Sequence, residues 1–231
     1  GKEPLILKRN EAYIGVLIDD LINKGVRDPY RLLTSRAEFR LLLRSDNADL
    51  RLRDYGHDVG LIDEERYQRF LDKKKKIEEL NLKLQNFRIT PTIEVNSYLE
   101  SIGSAILKDG ISLYDLLKRS EINIDNIKHF IDIDYDDEII EQVVINTKYD
   151  GYIKKEEKEA LKMLKLESKE IPLNIDYNKI KNIASEARQK LNEVRPITIG
   201  QASRISGVNP ADIAVLSVYL KKEYNNDWKW I

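Results

Sequence analysis

The stretch Ile197–Leu220 reads ITIGQASRISGVNPADIAVLSVYL, and it decides the fold class of the chain. Thr198–Ile205 reads as one short helix. Ser206-Gly207 then supplies a turn, because glycine enters left-handed backbone without a steric cost. Asn209 offers a side-chain oxygen to the free N–H groups at the start of a helix. Pro210 suits the first helical position, where its missing N–H is not needed. A second helix, Asn209–Tyr219, follows. It carries Ile213, Ala214, Val215, Leu216, Val218 and Leu220, a surface suited to packing against protein.

Working outward from this pair, helical spacing recurs along the chain. Tyr177–Leu191 reads as a helix that Arg195-Pro196 breaks. Ile153–Leu166 is amphipathic, with Ala160, Leu161, Leu164 and Leu166 as its apolar members. Asp137–Asn146 and two short helices, Leu113–Arg119 and Ile124–Phe130, precede it. Thr90-Pro91 starts a helix that ends at Ile102-Gly103. Asp63 caps a long helix through Leu84, with Phe70, Ile77, Leu80 and Leu84 at helical spacing and Lys73–Lys76 on the polar face. Asp46-Asn47 caps Ala48–Val59. Ala12–Asn23 carries Ile14, Leu17, Ile18 and Leu21 and stops at Gly25, before a turn at Arg27-Asp28-Pro29. Only Ser35–Arg44 fits two readings, since its residues alternate as a half-buried strand does and also fit a helix. The expected architecture is mainly α: a multi-helix bundle with one or two short strands near the N-terminus and a small helical subdomain at the end. The expected division is 1–62, 63–148 and 149–231.

Composition narrows the function classes. The chain has 231 residues, 42% of them hydrophobic, with 39 Lys and Arg against 40 Asp and Glu. A net charge of −1 does not advertise a nucleic-acid binder, so any such role needs a local basic face. Cysteine is absent, and His57 and His129 are the only imidazoles, which argues against disulfides, thiolate metal sites and multi-histidine metal sites. Asp132, Asp134, Asp136, Asp137 and Glu138 lie close together without the central glycine of a calcium loop. No apolar run is long enough for a membrane span, no secretory signal opens the chain, and a cytoplasmic location is expected. The start at Gly1 reads as an internal piece of a longer protein. None of the ten glycines forms a GxGxxG pattern, so no dinucleotide or phosphate cradle is expected here.

Three groups carry candidate binding chemistry. Arg36, Arg40 and Arg44 recur every four residues, with Arg31, Arg51 and Arg53 nearby. Guanidinium groups hold phosphate bidentately, while Glu38, Asp46, Asp49, Asp54 and Asp58 are near enough in sequence to neutralise them. Lys154, Lys155, Lys158, Lys162 and Lys165 form a second basic strip with Tyr149 and Tyr152 at its entrance. Such tyrosines can stack on unpaired bases while the amines hold phosphates. Glu156, Glu157 and Glu159 interleave, as on an ordinary solvated face. The terminal helix pair superficially resembles a DNA-reading helix-turn-helix, yet its second helix lacks the polar side chains that read base edges. Gln201, Ser203, Arg204, Ser206, Lys221 and Lys222 are its polar candidates, here for a protein partner.

Three ordered stretches then carry a resemblance: EAYIGVLIDDLINKG (Glu11–Gly25), DPYRLLTSRAEFRLLLRSDNADLRLRDYGHDVGLI (Asp28–Ile62) and RPITIGQASRISGVNPADIAVLSVYLKK (Arg195–Lys222), with KYDGYIKK (Lys148–Lys155) between the last two. Together they resemble the C-terminal region of the MnmG (GidA) family of tRNA-modifying flavoenzymes. The tail EYNNDWKWI has no such match. The resemblance implies addition of an aminomethyl or carboxymethylaminomethyl group at C5 of the wobble uridine, with FAD, a nicotinamide reductant (NADH) and a methylene-folate carbon donor. It implies tRNA and the GTPase MnmE as partners, a homodimeric parent, and a flavin site and catalytic cysteines upstream of these residues. The chain itself is therefore expected to hold no cofactor and to be inactive alone. Two other readings are a DNA-binding regulator using the terminal pair and a structural scaffold for the flavin domain.

Overall fold

The computed structural model describes residues 4–24, 29–31 and 33–224. The expected stop at Gly25, the turn at Arg27-Asp28 and the tail from Asn225 onward lie outside them. The described residues form eleven α-helices and one two-stranded antiparallel sheet, a mainly α fold as expected. Backbone contacts divide the chain into two compact units, Leu41–Lys155 and Gly1–Arg40 with Glu156–Ile231.

The first unit is organised by its longest helix. It contains α2 (Ala48–Asp58), α3 (Glu64–Asn86), β1 (Arg88–Ile89), α4 (Ile93–Ser101), β2 (Ile111–Ser112), α5 (Leu113–Leu117), α6 (Ile124–Lys128) and α7 (Asp137–Lys148). Asp63 caps α3 as its sequence predicts, its carboxylate accepting from the Arg66 N–H at 2.8 Å. Leu80 and Leu84 of α3 are fully buried with Leu99, Leu113, Leu116, Leu117, Ile127 and Val143. The N-terminal boundary of α4 falls later than expected. Thr92, not Thr90, caps it, and residues 88–89 just before pair with 111–112. The sheet is therefore far from the N-terminus, where strands were expected. Ser35–Arg44 forms neither strand nor α-helix, only a 3-10 turn at Thr34–Arg36 followed by turns.

The second unit combines α1 (Tyr13–Asn23) with most of α8 (Asp150–Glu167), α9 (Ser185–Val194), α10 (Ile199–Arg204) and α11 (Pro210–Tyr224). The helix expected over Tyr177–Leu191 is broken. A 3-10 turn at Tyr177–Lys179 gives way to extended backbone and to Asn182 at φ 63°, before α9 begins at Ser185. Tyr177, Ile180 and Ile183 all insert into the core from this irregular segment, so their helix-like spacing reports burial and not a helix. At the terminal pair the expected chemistry holds. Gly207 turns at φ 91°. Asn209 Oδ1 accepts from the N–H groups of Ala211 and Asp212, and Asp212 Oδ2 accepts from the Asn209 N–H in return. Asp212 Oδ1 also accepts the Ala184 N–H, which joins α11 to the start of α9.

Helix α1 presents the opposite face from the one its apolar spacing suggests. Gly15, Val16, Asp20 and Asn23 are buried, while Ile14, Ile18, Leu21 and Ile22 are 50%, 47%, 43% and 65% exposed. Gly15 permits this arrangement, since a Cβ there would lie 2.4 Å from the Lys8 carbonyl oxygen and 2.5 Å from that of Leu7. The segment before the helix thus lies directly on it. Gly15→Ala is expected to lower the unfolding free energy by about 1–3 kcal/mol through overpacking, against the gain of roughly 1 kcal/mol that helix propensity alone offers. Urea unfolding of both proteins checks the sign.

Candidate nucleic-acid interface

The arginine group does not form one phosphate-facing row. Arg36 lies 3.6 Å from Asp20 and stacks over the Tyr30 ring at 4.6 Å. Arg44 is largely buried, bonded to Asp46 at 3.1 Å and to Asn146 Oδ1 at 3.0 Å. Gln142 donates to both the carboxylate and the carbonyl of Asp46, so this cluster pins the 41–47 segment to α7. Asn47 occupies the N-cap position of α2 without capping it through its side chain; its oxygen accepts from Arg51 instead. Arg51 also donates to the Arg44 carbonyl, and Arg53 reaches the Arg66 carbonyl at 3.4 Å. Arg31 and Arg40 are exposed.

A buried ion network that the sequence reading did not single out lies in the second unit. Arg9, 4% exposed, is held by Asp19 at 2.8 Å, Asp20 at 2.7 Å and Glu38 at 2.8 Å. Asp19 also takes a bidentate pair from Arg204 at 2.7 and 2.8 Å, and Arg204 pairs with Glu167 as well. Burial opposes the charge on Arg9 and on Arg204, but the surrounding carboxylates more than restore it and raise both pKa values. For Asp20, burial likewise opposes ionisation. Hydrogen bonds from Lys24, Arg9 and Tyr30 outweigh it and hold the carboxyl at about 2. The available signal was Asp19-Asp20 inside an otherwise apolar helix, a pair that demands buried cations once that side of the helix faces inward.

The lysines divide sharply into paired and unpaired. On α3 every member of the run is engaged: Lys73 with Asp49 and Glu138, Lys74 with Asp54, Lys75 with Glu79, and Lys76 with Asp72. On α8 the apolar side holds Ile153, Ala160 and Leu164, and Ala160 is buried. At 100° per residue, Lys155, Lys158, Lys162 and Lys165 fall on the opposite face, with Lys154 at its margin. All five are exposed. Lys154 pairs with Asp150 at 2.9 Å; the other four have no ion pair among the described residues. Tyr149 and Tyr152, 46% and 68% exposed, stand at the start of this helix.

The polar candidates of the terminal pair are mostly occupied within the fold. Gln201 Oε1 accepts the Ile197 N–H, Ser203 donates to the Gly200 carbonyl, and Arg204 is in the network above. Ser206, Lys221 and Lys222 are exposed, with Lys222 3.8 Å from Glu223. Among the described residues no group of three or more acidic or imidazole side chains is placed to hold a metal ion. No described helix is long and apolar enough to cross a membrane.

Two mainly helical units, with one two-stranded sheet and a strip of exposed lysines along α8, define the class of the fold. Residues 64–157 match the C-terminal helical domain, and residues 159–229 the C-terminal helical bundle, of the tRNA modifying enzyme MnmG/GidA. The chain belongs to the MnmG/GidA family. It is 53% identical over 221 residues to the tRNA uridine 5-carboxymethylaminomethyl modification enzyme MnmG of Acholeplasma laidlawii, covering 96% of this chain and 36% of that protein. Identity to the MnmG of Listeria innocua is 56% over 223 residues, with the same coverage. The crystal structure of Aquifex aeolicus GidA in form II matches with a TM-score of 0.77 and 41% identity, over 95% of this chain and 34% of that one. The chain thus spans 36% of the length of these curated relatives.

Two predictions follow from the ion network. Removing one partner of a buried pair leaves the other uncompensated, so Arg204→Ala is expected to cost about 3 kcal/mol in urea unfolding. A double-mutant cycle with Asp19→Ala should return a coupling of at least about 1 kcal/mol. Folding depresses the Asp20 pKa to about 2. Its contribution is therefore complete above the ordinary carboxylate value of about 4 and is lost as pH falls through the folded-state value. Asp20→Asn should flatten the acid limb of the stability curve across that window.

Proposed function

We propose that this chain is the tRNA- and partner-binding region of an enzyme that installs the (carboxymethyl)aminomethyl group at C5 of wobble uridine. The whole enzyme acts in the cytoplasm as a homodimer, with FAD and NADH, alongside a GTPase of the MnmE type. The names of the relatives support the reaction class. The residues of this chain include no GxGxxG cradle for the dinucleotide of a flavin and no cysteine to serve as a catalytic thiol. The redox chemistry is assigned to the part of the relatives' length that this chain does not span, and the chain alone is expected to be inactive.

One observation carries the tRNA reading: Lys155, Lys158, Lys162 and Lys165 are exposed, with no ion pair among the described residues, on a helix whose opposite side holds the buried Ala160. Ammonium groups so placed are open to an external anion. Lys154 to Lys165 covers about 16 Å of helix axis, at 1.5 Å per residue, long enough to follow several phosphates. Tyr149 and Tyr152 add aromatic faces beside the strip.

A second reading, a scaffold for the rest of a longer protein, is favoured by the aliphatic face of α1. Ile14, Ile18, Leu21 and Ile22 form a contiguous exposed row of the kind that marks a covered surface in the complete molecule. Reading of duplex DNA gains nothing from α11, whose exposed residues include Ala211, Ala214 and Val218.

The affinity of the chain for tRNA, measured against salt, tests the first reading. Replacing Lys155, Lys158, Lys162 and Lys165 with Gln is expected to reduce the slope of log K against log[salt] by about 3. An unchanged slope would remove the strip from the interface.

A further inference from the structure

Beside α11 lies a groove of about 570 Å³, walled by the 179–182 segment that the sequence reads as helix. Ala214, Val215, Val218 and Tyr219 line one side of it, and Val218 is 64% exposed. Lys179, Lys181 and Asn182, the last at φ 63°, also line it, and Lys222 adds a third cation. Glu223 is the one carboxylate in the lining. The groove thus combines an apolar floor with a predominantly cationic rim.

We propose that this groove docks an acidic protein segment whose short row of aliphatic side chains lies along Ala214, Val215 and Val218. It rests on the reading that the chain binds a protein partner, and it names the surface and the chemistry of what binds there. An amphipathic segment laid in a groove is held by apolar burial and selected by charge at its edges. Nucleic acid fits the rim but not the floor, which offers aliphatic side chains and a single half-buried ring where bases need exposed aromatic planes. The floor residues make few hydrogen bonds to lose. A carboxylate-bearing segment would meet three lysines of which, among the described residues, only Lys222 has an ion-pair partner, Glu223 at 3.8 Å.

Panning a display library of random peptides of roughly 16 residues, about four turns of helix, against the 231-residue chain tests this directly. Selected peptides are expected to carry net negative charge with Leu, Ile or Val at i, i+3 and i+4. They should shift the methyl resonances of Val215 and Val218. Val218→Asp, a change at an exposed position, should weaken them at least about tenfold, and Lys179→Glu with Lys181→Glu should do the same. Basic or neutral peptides, or acidic ones that bind Val218→Asp equally well, would overturn the proposal. It would also fall if an RNA hairpin shifted the same methyl resonances, if truncation after Tyr224 shifted them, or if Val218→Asp abolished a concentration-dependent dimer. Those results assign the groove to nucleic acid, to residues 225–231 or to a second copy. The MnmE-type GTPase, assayed in parallel on wild type and Val218→Asp, separates the two levels. Equal binding to both overturns the groove alone, and binding to neither overturns partner docking as well.

Discussion

Asp19 is shared by two arginines that stand 195 positions apart in the chain, Arg9 and Arg204, and the second unit depends on that sharing. Its two stretches of polypeptide have no continuous backbone between them except through the first unit. What joins α1 to the C-terminal helices is therefore side-chain chemistry. A buried ion cluster contributes little net stability, because desolvation offsets most of the Coulombic gain, but it penalises misplacement heavily. Here it fixes which side of α1 faces inward. An apolar stripe would have tolerated rotation of the helix, whereas Asp19 and Asp20 find their cations in a single orientation. Gly15 serves the same end by letting residues 7–8 lie on α1, so that Arg9 reaches across to both carboxylates.

That choice has a consequence for the surfaces. With charge holding its inner side, α1 is left with an aliphatic outer side that ordinary folding would have buried. The same logic sorts the basic residues. Acids close in sequence or packing neutralise the lysines of α3 and the buried arginines, and the carboxylates of α8 do not neutralise Lys155, Lys158, Lys162 or Lys165. A chain of nearly zero net charge thereby acquires a strip of locally uncompensated charge. Whole-chain charge and local field are separate quantities, and the second is what an external phosphate meets.

The helices were legible wherever a cap and a spacing agreed. Asp63 before α3 and Asn209-Pro210 before α11 are local signals that need no tertiary context, and both elements begin where those residues put them. The failures have a common cause, which is that tertiary contacts override local pattern. Phe39 and Leu43 are buried in turns, so alternation over Ser35–Arg44 reports burial without reporting a strand. Tyr177, Ile180 and Ile183 mimic a helical stripe while inserting from an irregular segment. Strands of two residues carry no detectable period. The arginine spacing at 36, 40 and 44 was visible, but its partners Asp20 and Asn146 were too distant in sequence to be named from it.

The terminal helix pair shows how internal satisfaction shapes what remains for binding. Thr198 donates to Glu167 and caps α10, Gln201 holds the Ile197 N–H, and Arg204 closes on Asp19 and Glu167. Asp212 bridges the Asn209 and Ala184 N–H groups. These polar groups lock α10 and α11 to α8 and α9, so they do not point outward to read a partner. The outward face of α11 is left with Ala214, Val218, Lys221 and Lys222, a combination of small apolar side chains and flexible cations. Such a face selects by shape and by sign of charge, not by directional hydrogen bonds. It therefore suits a protein surface better than the edge of a base pair, even though the backbone path of the two helices superficially resembles that of a DNA reader.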